Sequence, residues 1–447
     1  MSMCRDLACL PLASFSARFP LRWLTALLVL VSGAPALAQT EVPQLNSEAQ
    51  AKLDRLTSDL FQDDFAQRQR AMRELFEMGI HGVEPAITAT LSPDREARQR
   101  GEQLLTQFTL TNVSGSRVFI RKRLNEIAES DPDLAPLANK TSKLLQAMSV
   151  KAAKNDLERA GGTIRDSRDL DDTTVGPFNV TLGKSWKGSD ESFKAISDLE
   201  NVHFLSIDNA PLTDKSIESI NKLRTLNTLA IYGSLITENG ITQLDPKLHL
   251  RVLVIRGLPF GDSGMAKLPE FQDLLLLDLS FTKVTDAGMQ HIKRYPNLKR
   301  LWLQQTEITS ASMPHVAQLQ DLEELQLNGT KVTGPELGSL KVLPQLSKLE
   351  FKACRLEPAT LSYLAGFPTL TSLNLDGTNV TDAQIADLAL IPNLRELQLA
   401  RTKITDLSVP HLKKLQKLEN LYLHGTGISQ PLEQELRKAL PNCQIRS

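Results

Sequence analysis

Three histidines recur at a fixed spacing, and they are the residues whose type and pattern could bind a metal ion. His291 and His315 are 24 residues apart, and His411 follows after four further steps of 24. On neighbouring coils of a repeat the first two imidazoles would lie roughly 5 Å or more apart. Two imidazoles without a carboxylate at an equivalent position of the repeat make a poor zinc site. Duplication of a repeat explains the spacing better, so we predict no metal and no cofactor.

Patterns that support catalysis are missing from the sequence. It contains no H-E-x-x-H, no G-x-S-x-G, no phosphate-binding loop and no paired C-x-x-C. We therefore predict that the protein is not an enzyme, and an enzyme hidden in the N-terminal region is the remaining catalytic alternative. The 447 residues carry 51 Lys+Arg against 52 Asp+Glu. Because this balance leaves no strongly basic field, we expect no nucleic-acid partner.

The first 38 residues have the pattern of an export signal. Arg18 and Arg22 flank the start of an apolar run over residues 23–31, and Ala36-Leu37-Ala38 supplies small residues at a cleavage site. The competing interpretation is a membrane anchor, but nine helical residues cover only about 14 Å of a hydrocarbon layer of about 30 Å. We predict a cleaved signal peptide (1–38), export to the periplasm or the extracellular space, and no membrane insertion after cleavage.

A repeat of 24 residues determines the architecture of the C-terminal part. The pattern L-x-x-L-x-L begins at Val202 and recurs at every twenty-fourth residue up to Leu418. With the first residue of each unit as position 0, positions 0, 3, 5, 10 and 18 are apolar in all ten units. Alternation over positions 2 to 6 predicts a strand. Thr at position 8 can satisfy backbone groups after the strand, and Thr-Asp at positions 11 and 12 predicts a helix N-cap.

These units resemble leucine-rich repeats of secreted bacterial proteins. The resemblance extends over residues 202 to about 442 and implies a right-handed α/β solenoid with a concave parallel sheet and a convex helical side. We predict a repeat domain (202–447) of ten units that ends in a capping strand at Ile445. Residues 161–201 are predicted to form the N-terminal cap, with residues 161–164 as a short strand.

The region before the cap (39–160) is predicted to be helical. The run over residues 63–79, with Pro85 and Arg98-x-Arg100 after it, resembles one HEAT-like unit. One such unit cannot form a stable solenoid alone. We therefore expect a small bundle or a cap on the repeats.

Two cysteines follow the predicted leader, and they lie four coils apart. Cys354 takes the inward position 8, whereas Cys443 lies on the last strand. Four coils span about 19 Å, beyond the limit of about 7 Å between disulfide-bonded Cα atoms. We predict a buried structural thiol at Cys354 and a free thiol at Cys443, with an intermolecular bridge as the alternative for the latter.

The concave face is the predicted binding surface, because positions 2, 4 and 6 project from it. Amides, both charge signs and two large aromatic anchors, Trp302 and Tyr422, suit a protein or peptide partner. The alternative interpretation is an ordinary water-facing sheet. The candidate residues are Arg300, Trp302, Gln304, Gln326, Asn328, Glu350, Lys352, Asn374, Asp376, Gln398, Tyr422 and His424.

The first strands of the solenoid have a more apolar concave face, with Phe204, Val252, Val254 and Leu276. This zone could contact a second ligand or could receive the helical region, and docking of the helical region is the preferred expectation. Taken together, the sequence favours an exported, non-enzymatic protein that binds a protein or peptide. The alternative is a structural component of the cell envelope that associates with itself.

Overall fold

The computed structural model describes residues 43–111, 116–166 and 177–447, so the predicted leader lies outside the described residues. The N-terminal region is helical, as predicted. Its helices begin after capping residues such as Asp64, whose carboxylate accepts a hydrogen bond from the Gln67 N–H at 3.0 Å. The helices are α1 (Ser47–Asp59), α2 (Phe65–Glu77), a 3-10 turn (Gly79–Gly82), α3 (Val83–Thr90), α4 (Arg95–Thr111), α5 (Ser116–Ser130) and α6 (Ala135–Arg159).

A sheet of 13 strands follows, and the strands are arranged in chain order. β1 pairs antiparallel with β2, as the predicted capping strand, and the later strands are parallel. Leu277 pairs with Leu301 and Leu301 with Leu325, so equivalent residues are 24 apart. The strands are β1 (Gly162–Asp166), β2 (Phe178–Leu182), β3 (Val202–Asp208), β4 (Thr228–Tyr232), β5 (Val252–Val254), β6 (Leu276–Asp278), β7 (Arg300–Trp302), β8 (Glu324–Gln326), β9 (Lys348–Glu350), β10 (Ser372–Asn374), β11 (Glu396–Gln398), β12 (Asn420–Tyr422) and β13 (Gln444–Arg446).

Short helices return the chain along the opposite, convex side. In six of the ten repeat units the first of these helices begins at the predicted Thr N-cap: the Thr285 side chain, for example, accepts a hydrogen bond from the Ala287 N–H at 3.3 Å. The α-helices are Asp190–Phe193, Ile217–Ile220, Glu238–Ile241, Asp262–Lys267, Asp286–Met289, Met313–Val316, Thr360–Leu364, Asp382–Leu388, Val409–Leu412 and Gln430–Ala439. The 3-10 helices are Lys194–Asp198, Asp214–Ser216, Ile292–Arg294, Ser310–Ser312, Pro335–Val342 and Asp406–Ser408.

The inward side chains form one continuous apolar core along the solenoid. Residues at positions 3 and 5, such as Leu301 and Leu303, are fully buried in it. The predicted role of Thr at position 8 is confirmed, since the Thr306 hydroxyl donates to the Leu303 carbonyl at 2.7 Å. Cys354 takes the same inward position as a buried free thiol, and burial raises its pKa. Cys443 is also a free cysteine and is half-buried.

An aspartate ladder on the convex side joins successive coils. The Asp286 carboxylate accepts hydrogen bonds from both the N–H and the hydroxyl of Thr309 on the next coil, at 2.9 and 2.6 Å. Burial of Asp286 raises its pKa, but hydrogen bonds from Ser312 and Thr309 outweigh burial and hold the pKa below its usual value. The Asp at position 12 therefore stabilises the following coil as well as its own helix. The same bonds to Thr recur at Asp190, Asp214, Asp262 and Asp382.

Helix α6 connects the helical bundle to the solenoid. Its first half contributes Leu145 to the core of the bundle, and its second half contributes Val150 and Leu157 to the solenoid core. Ion pairs add to this contact at the first coil, where Arg117 of α5 pairs with the half-buried Asp198. The bundle therefore covers the apolar end of the solenoid. The domain limits and the HEAT-like character inferred from the sequence remain predictions.

The expectation that the helical region docks on the concave apolar zone is wrong. Its ion pairs with the solenoid are made at Asp198 and Glu200, in the first coil and next to the 3-10 helix Lys194–Asp198. The end repeat of an array exposes its apolar interior unless it is capped, and α6 packs Val150 and Leu157 on that end. The bundle therefore contacts the solenoid at its end, and the concave apolar zone is a separate surface.

Candidate binding surface on the concave face

The concave face consists of three rows of side chains that run across the strands. Because residues alternate along each strand, positions 2, 4 and 6 point away from the core. The register pairs Val254 with Asp278 and Asp278 with Trp302, so position 4 forms one row across β5, β6 and β7. The twelve predicted residues therefore do share one face, and they lie on β7 to β12 and the residues directly after these strands.

The polar residues of the concave face from Gln304, directly after β7, to Ala400, directly after β11, form a region that we call the paired strip, and they are largely bonded to one another. Lys348 lies 2.8 Å from Glu350 and 3.4 Å from Glu324. Asn328 donates to Glu350 at 2.8 Å and accepts from the Lys352 N–H at 2.8 Å. Such pairs satisfy the groups of a water-facing sheet without a ligand.

Further bonds within the paired strip involve the remaining predicted amides. Gln304 donates to Gln326, which is buried, and Gln398 donates to Glu396 at 3.0 Å. The buried Asp376 accepts from the Ala400 N–H at 2.9 Å. Folding alone therefore accounts for much of the polar pattern that the sequence presented as a ligand surface.

The two predicted aromatic anchors have different surroundings. The Arg446 guanidinium covers the Tyr422 ring at 5.2 Å from its centroid, near the C-terminal end of the sheet. His424, two residues later, is exposed. Trp302 is partly buried and packs against apolar side chains of the preceding strands. The structure therefore separates Trp302 from Tyr422, with the paired strip between them.

Trp302 belongs to an apolar cluster on the water-facing side of β4 to β7. The buried members are Ala230, Val254 and Leu276, and the partly exposed members are Tyr232, Val252 and Trp302. This cluster is separate from the solenoid core and from the bundle core. Apolar side chains on the outer face of a sheet are not needed to close the core, and such patches commonly mark interaction sites. The sequence indicated Val252, Val254 and Leu276, whereas Ala230 and Tyr232 were missed.

A buried carboxylate lies within this apolar cluster. Asp278 is 1% exposed, and its carboxylate accepts a hydrogen bond from the Ser280 N–H at 2.8 Å. Burial raises the pKa of Asp278, which means that the charged form is disfavoured there. At the equivalent position of another coil Asn374 makes the same bond, accepting from the Asp376 N–H at 2.9 Å. Because a neutral amide performs this backbone role, the charge of Asp278 is not required for folding.

An aromatic residue in an unusual conformation borders the cluster. Position 7 has a positive φ in all ten units: Asn209, Gly233, Gly257, Phe281, Gln305, Gly329, Ala353, Gly377, Arg401 and Gly425. Phe281 has φ +60° although a bulky side chain disfavours the left-handed region. Its ring is 49% exposed and lies 4.7 Å below the Arg256 guanidinium. The sequence signal for this site was a Phe where half of the units have Gly, and it was missed.

A cleft in the helical region is lined by His81, Glu84 and Arg123. Arg123 donates to both oxygens of Glu84 at 3.1 and 2.7 Å, and hydrogen bonds with Glu84 and Glu126 raise the arginine pKa further. These groups are engaged with one another. Across the described ranges, no set of three or more His, Cys, Asp or Glu side chains is placed to hold a metal ion.

Comparisons with known proteins give likenesses at the level of the fold. No family model matches the chain, and no curated protein matches it. An internalin of Listeria monocytogenes is 17% identical, covering 60% of this chain and 86% of the internalin at a TM-score of 0.43. A leucine-rich repeat protein of Leptospira interrogans is 18% identical, covering 57% of this chain and 80% of that protein at a TM-score of 0.33. The strand and helix arrangement of this chain is itself that of a leucine-rich repeat solenoid.

Proposed function

We propose that this protein is an exported, non-enzymatic binding protein that holds another protein or a peptide on its concave face. The observation that carries the proposal is the apolar cluster around Trp302, which lies on the water-facing side of the sheet and serves neither core. Large aromatic side chains with apolar neighbours are typical energetic centres of protein interfaces. The long sheet supplies the surrounding polar surface.

Capture of a partner by the mature chain tests this proposal. The bait is the chain from Gln39 onward, and the source is the native compartment, with bound proteins identified by mass spectrometry. We expect Trp302→Ala together with Tyr422→Ala to abolish specific capture. Leu407→Ala is the matched control, because Leu407 is an exposed apolar residue in a helix of the convex side. Unchanged capture by the double variant would refute the proposal that the partner binds on the concave face.

Export is tested separately on the chain isolated from its own cells. Cleavage after Ala38 leaves Gln39 as the first residue, which peptide mass spectrometry detects directly. None of the helices within the described ranges combines the length and apolar character needed to cross a bilayer. An uncleaved chain found in the cytoplasm would contradict the export proposal without affecting the binding proposal.

A further inference from the structure

Around the apolar cluster, the arginine side chains are available to a partner, whereas the aspartate side chains are buried or hydrogen-bonded. The guanidinium groups of Arg256 and Arg300 make no hydrogen bond or ion pair with another side chain in the described part of the chain, and Arg300 is exposed. The acids on the same strands are engaged: Asp278 is buried, and Asp208 accepts from the Asn209 side chain at 2.6 Å. The charge offered to a partner at this cluster is therefore positive.

Arg256 and Arg300 lie on opposite sides of the apolar cluster. Arg300 pairs in register with Leu276, and Arg256 follows Val254 on the same face. They are separated by two strands, or about 10 Å, and by four residues along the strand, or about 13 Å. The diagonal of about 16 Å equals the length of about five residues of extended chain. One short segment of a partner can therefore reach both guanidinium groups while it passes over the buried Asp278, with Val254 and Leu276 on one side of its path and Trp302 on the other.

A phenylalanine at position 281 supports a role for this place in binding. A non-glycine residue in the left-handed region costs roughly 1 kcal/mol or more. Burial does not repay this cost, because about half of the Phe281 side chain is exposed. The ring instead supports the Arg256 guanidinium at 4.7 Å. The left-handed backbone at position 7 recurs in every unit, so what distinguishes this coil is the phenylalanine itself, whose ring contacts Arg256.

Trp302 has a polar group that a partner can use. Its indole N–H is buried and has no acceptor among the described residues. Rotation of the ring toward an oxygen of a partner would therefore break no hydrogen bond. A peptide carbonyl or a carboxylate oxygen supplies such an acceptor.

We propose that the partner segment bound at this cluster is acidic. It seats a bulky apolar side chain on Val254 and Leu276, and it places carboxylates on Arg256 and Arg300. This inference rests on the proposed function and adds the chemical class of the partner. Arginine binds carboxylates through a planar pair of donors, which makes it suited to this recognition.

The test is selection from a random peptide display library on the mature chain, in parallel with Arg256→Glu combined with Arg300→Glu. We expect the natural chain to select peptides that combine a bulky apolar residue with Asp or Glu. The charge-reversed chain should select Lys or Arg in the same places, an inversion that misfolding cannot produce. A selected acidic peptide should bind the reversed chain on the order of tenfold or more weakly, and its affinity should fall with added salt.

Two control variants make the result specific. Arg355→Glu reverses an exposed charge on a distant coil and should leave the affinity unchanged. Phe281→Gly introduces the residue found at this position in five other units and should weaken binding without lowering the urea midpoint.

The outcomes distinguish this inference from the proposed function. Selected peptides that lack acids and still require Trp302 would overturn the acidic partner and leave concave-face binding intact. Equal binding of an acidic peptide by the natural and reversed chains would also overturn it. A library that yields no peptide above background would count against both.

Discussion

The two halves of the concave face are built on the same coil but present different surfaces. In the first half, β4 to β7, an apolar cluster surrounds Trp302, and unpaired arginines lie beside it. In the second half, β8 to β12, Lys348 lies between Glu324 and Glu350, and amides bond to neighbouring carboxylates. Inward leucines and the left-handed residue at position 7 are common to both halves. Because folding makes the same demands on both halves, folding does not explain the apolar cluster, and we propose that binding does.

The largest expected effect on stability is a difference between two neighbouring leucines that lie on opposite faces of β6. Leu277 is fully buried in the solenoid core, and its neighbour Leu276 lies in the apolar cluster. Leu277→Ala should lower the free energy of unfolding by about 3 kcal/mol, because it leaves a cavity in the core. Leu276→Ala should cost about 1 kcal/mol, since the space it leaves is near solvent. Urea unfolding of both variants measures this, and equal losses would show that the cluster is part of the core.

The aspartate ladder tests whether the coils of the two halves are stabilised to the same extent. Asp286 lies in the first half and Asp382 in the second, and each accepts two hydrogen bonds from a Thr on the next coil. Replacing either by Ala should cost about 1 to 2 kcal/mol. A clearly larger loss at one of them, measured by urea midpoints, would mean that the coils differ in more than their concave side chains.

The ladder also predicts a dependence of stability on pH. For both carboxylates, burial raises the pKa, but hydrogen bonds from Ser and Thr outweigh it and lower the pKa below the usual value. A lowered pKa in the folded state gives stability that is present above the ordinary Asp range and lost as pH falls through it. The urea midpoint should therefore decrease between about pH 5 and pH 2, and less steeply in Asp286→Asn. An identical slope in that variant would contradict this account.

The smallest expected effect on stability comes from exchanging the equivalent residues Asp278 and Asn374. Burial raises the pKa of Asp278, so its charged form opposes folding at neutral pH, and this cost disappears as pH falls below the raised pKa. Asp278→Asn should raise the free energy of unfolding by up to about 1 kcal/mol at pH 7, and the gain should shrink in acid. Asn374→Asp should have the opposite sign. A loss of stability in Asp278→Asn would mean that the charge supports the fold.

Much of the fold could be predicted because it depends on periodicity within one coil. The inward leucines, the Thr hydroxyl at position 8 and the Thr N-caps each follow from spacing over a few residues. The role of Asp286 in joining one coil to the next could not be predicted in this way, because its bond partner Thr309 lies on the following coil. A Thr-Asp pair looks like a local cap in sequence, and only the stacked coils reveal the contact between them.

The binding surface was predicted less completely, because its character depends on neighbours across strands. Trp302 was recognised as an anchor, but it was grouped with the polar residues that follow it in the chain. The register instead places it in the row of Val254 and Asp278. Phe281 and Arg256 were missed because their contact depends on the positive φ of Phe281, which places the ring below the guanidinium.

The affinity of one captured partner for two single variants tests the central claim most directly. Calorimetric titration should show that Trp302→Ala weakens binding on the order of thirtyfold, as expected for an aromatic energetic centre. Tyr422→Ala should change the affinity by less than about threefold, the range of a peripheral contact. A larger loss for Tyr422→Ala, or equal losses for both, would contradict the assignment of recognition to the first half of the concave face.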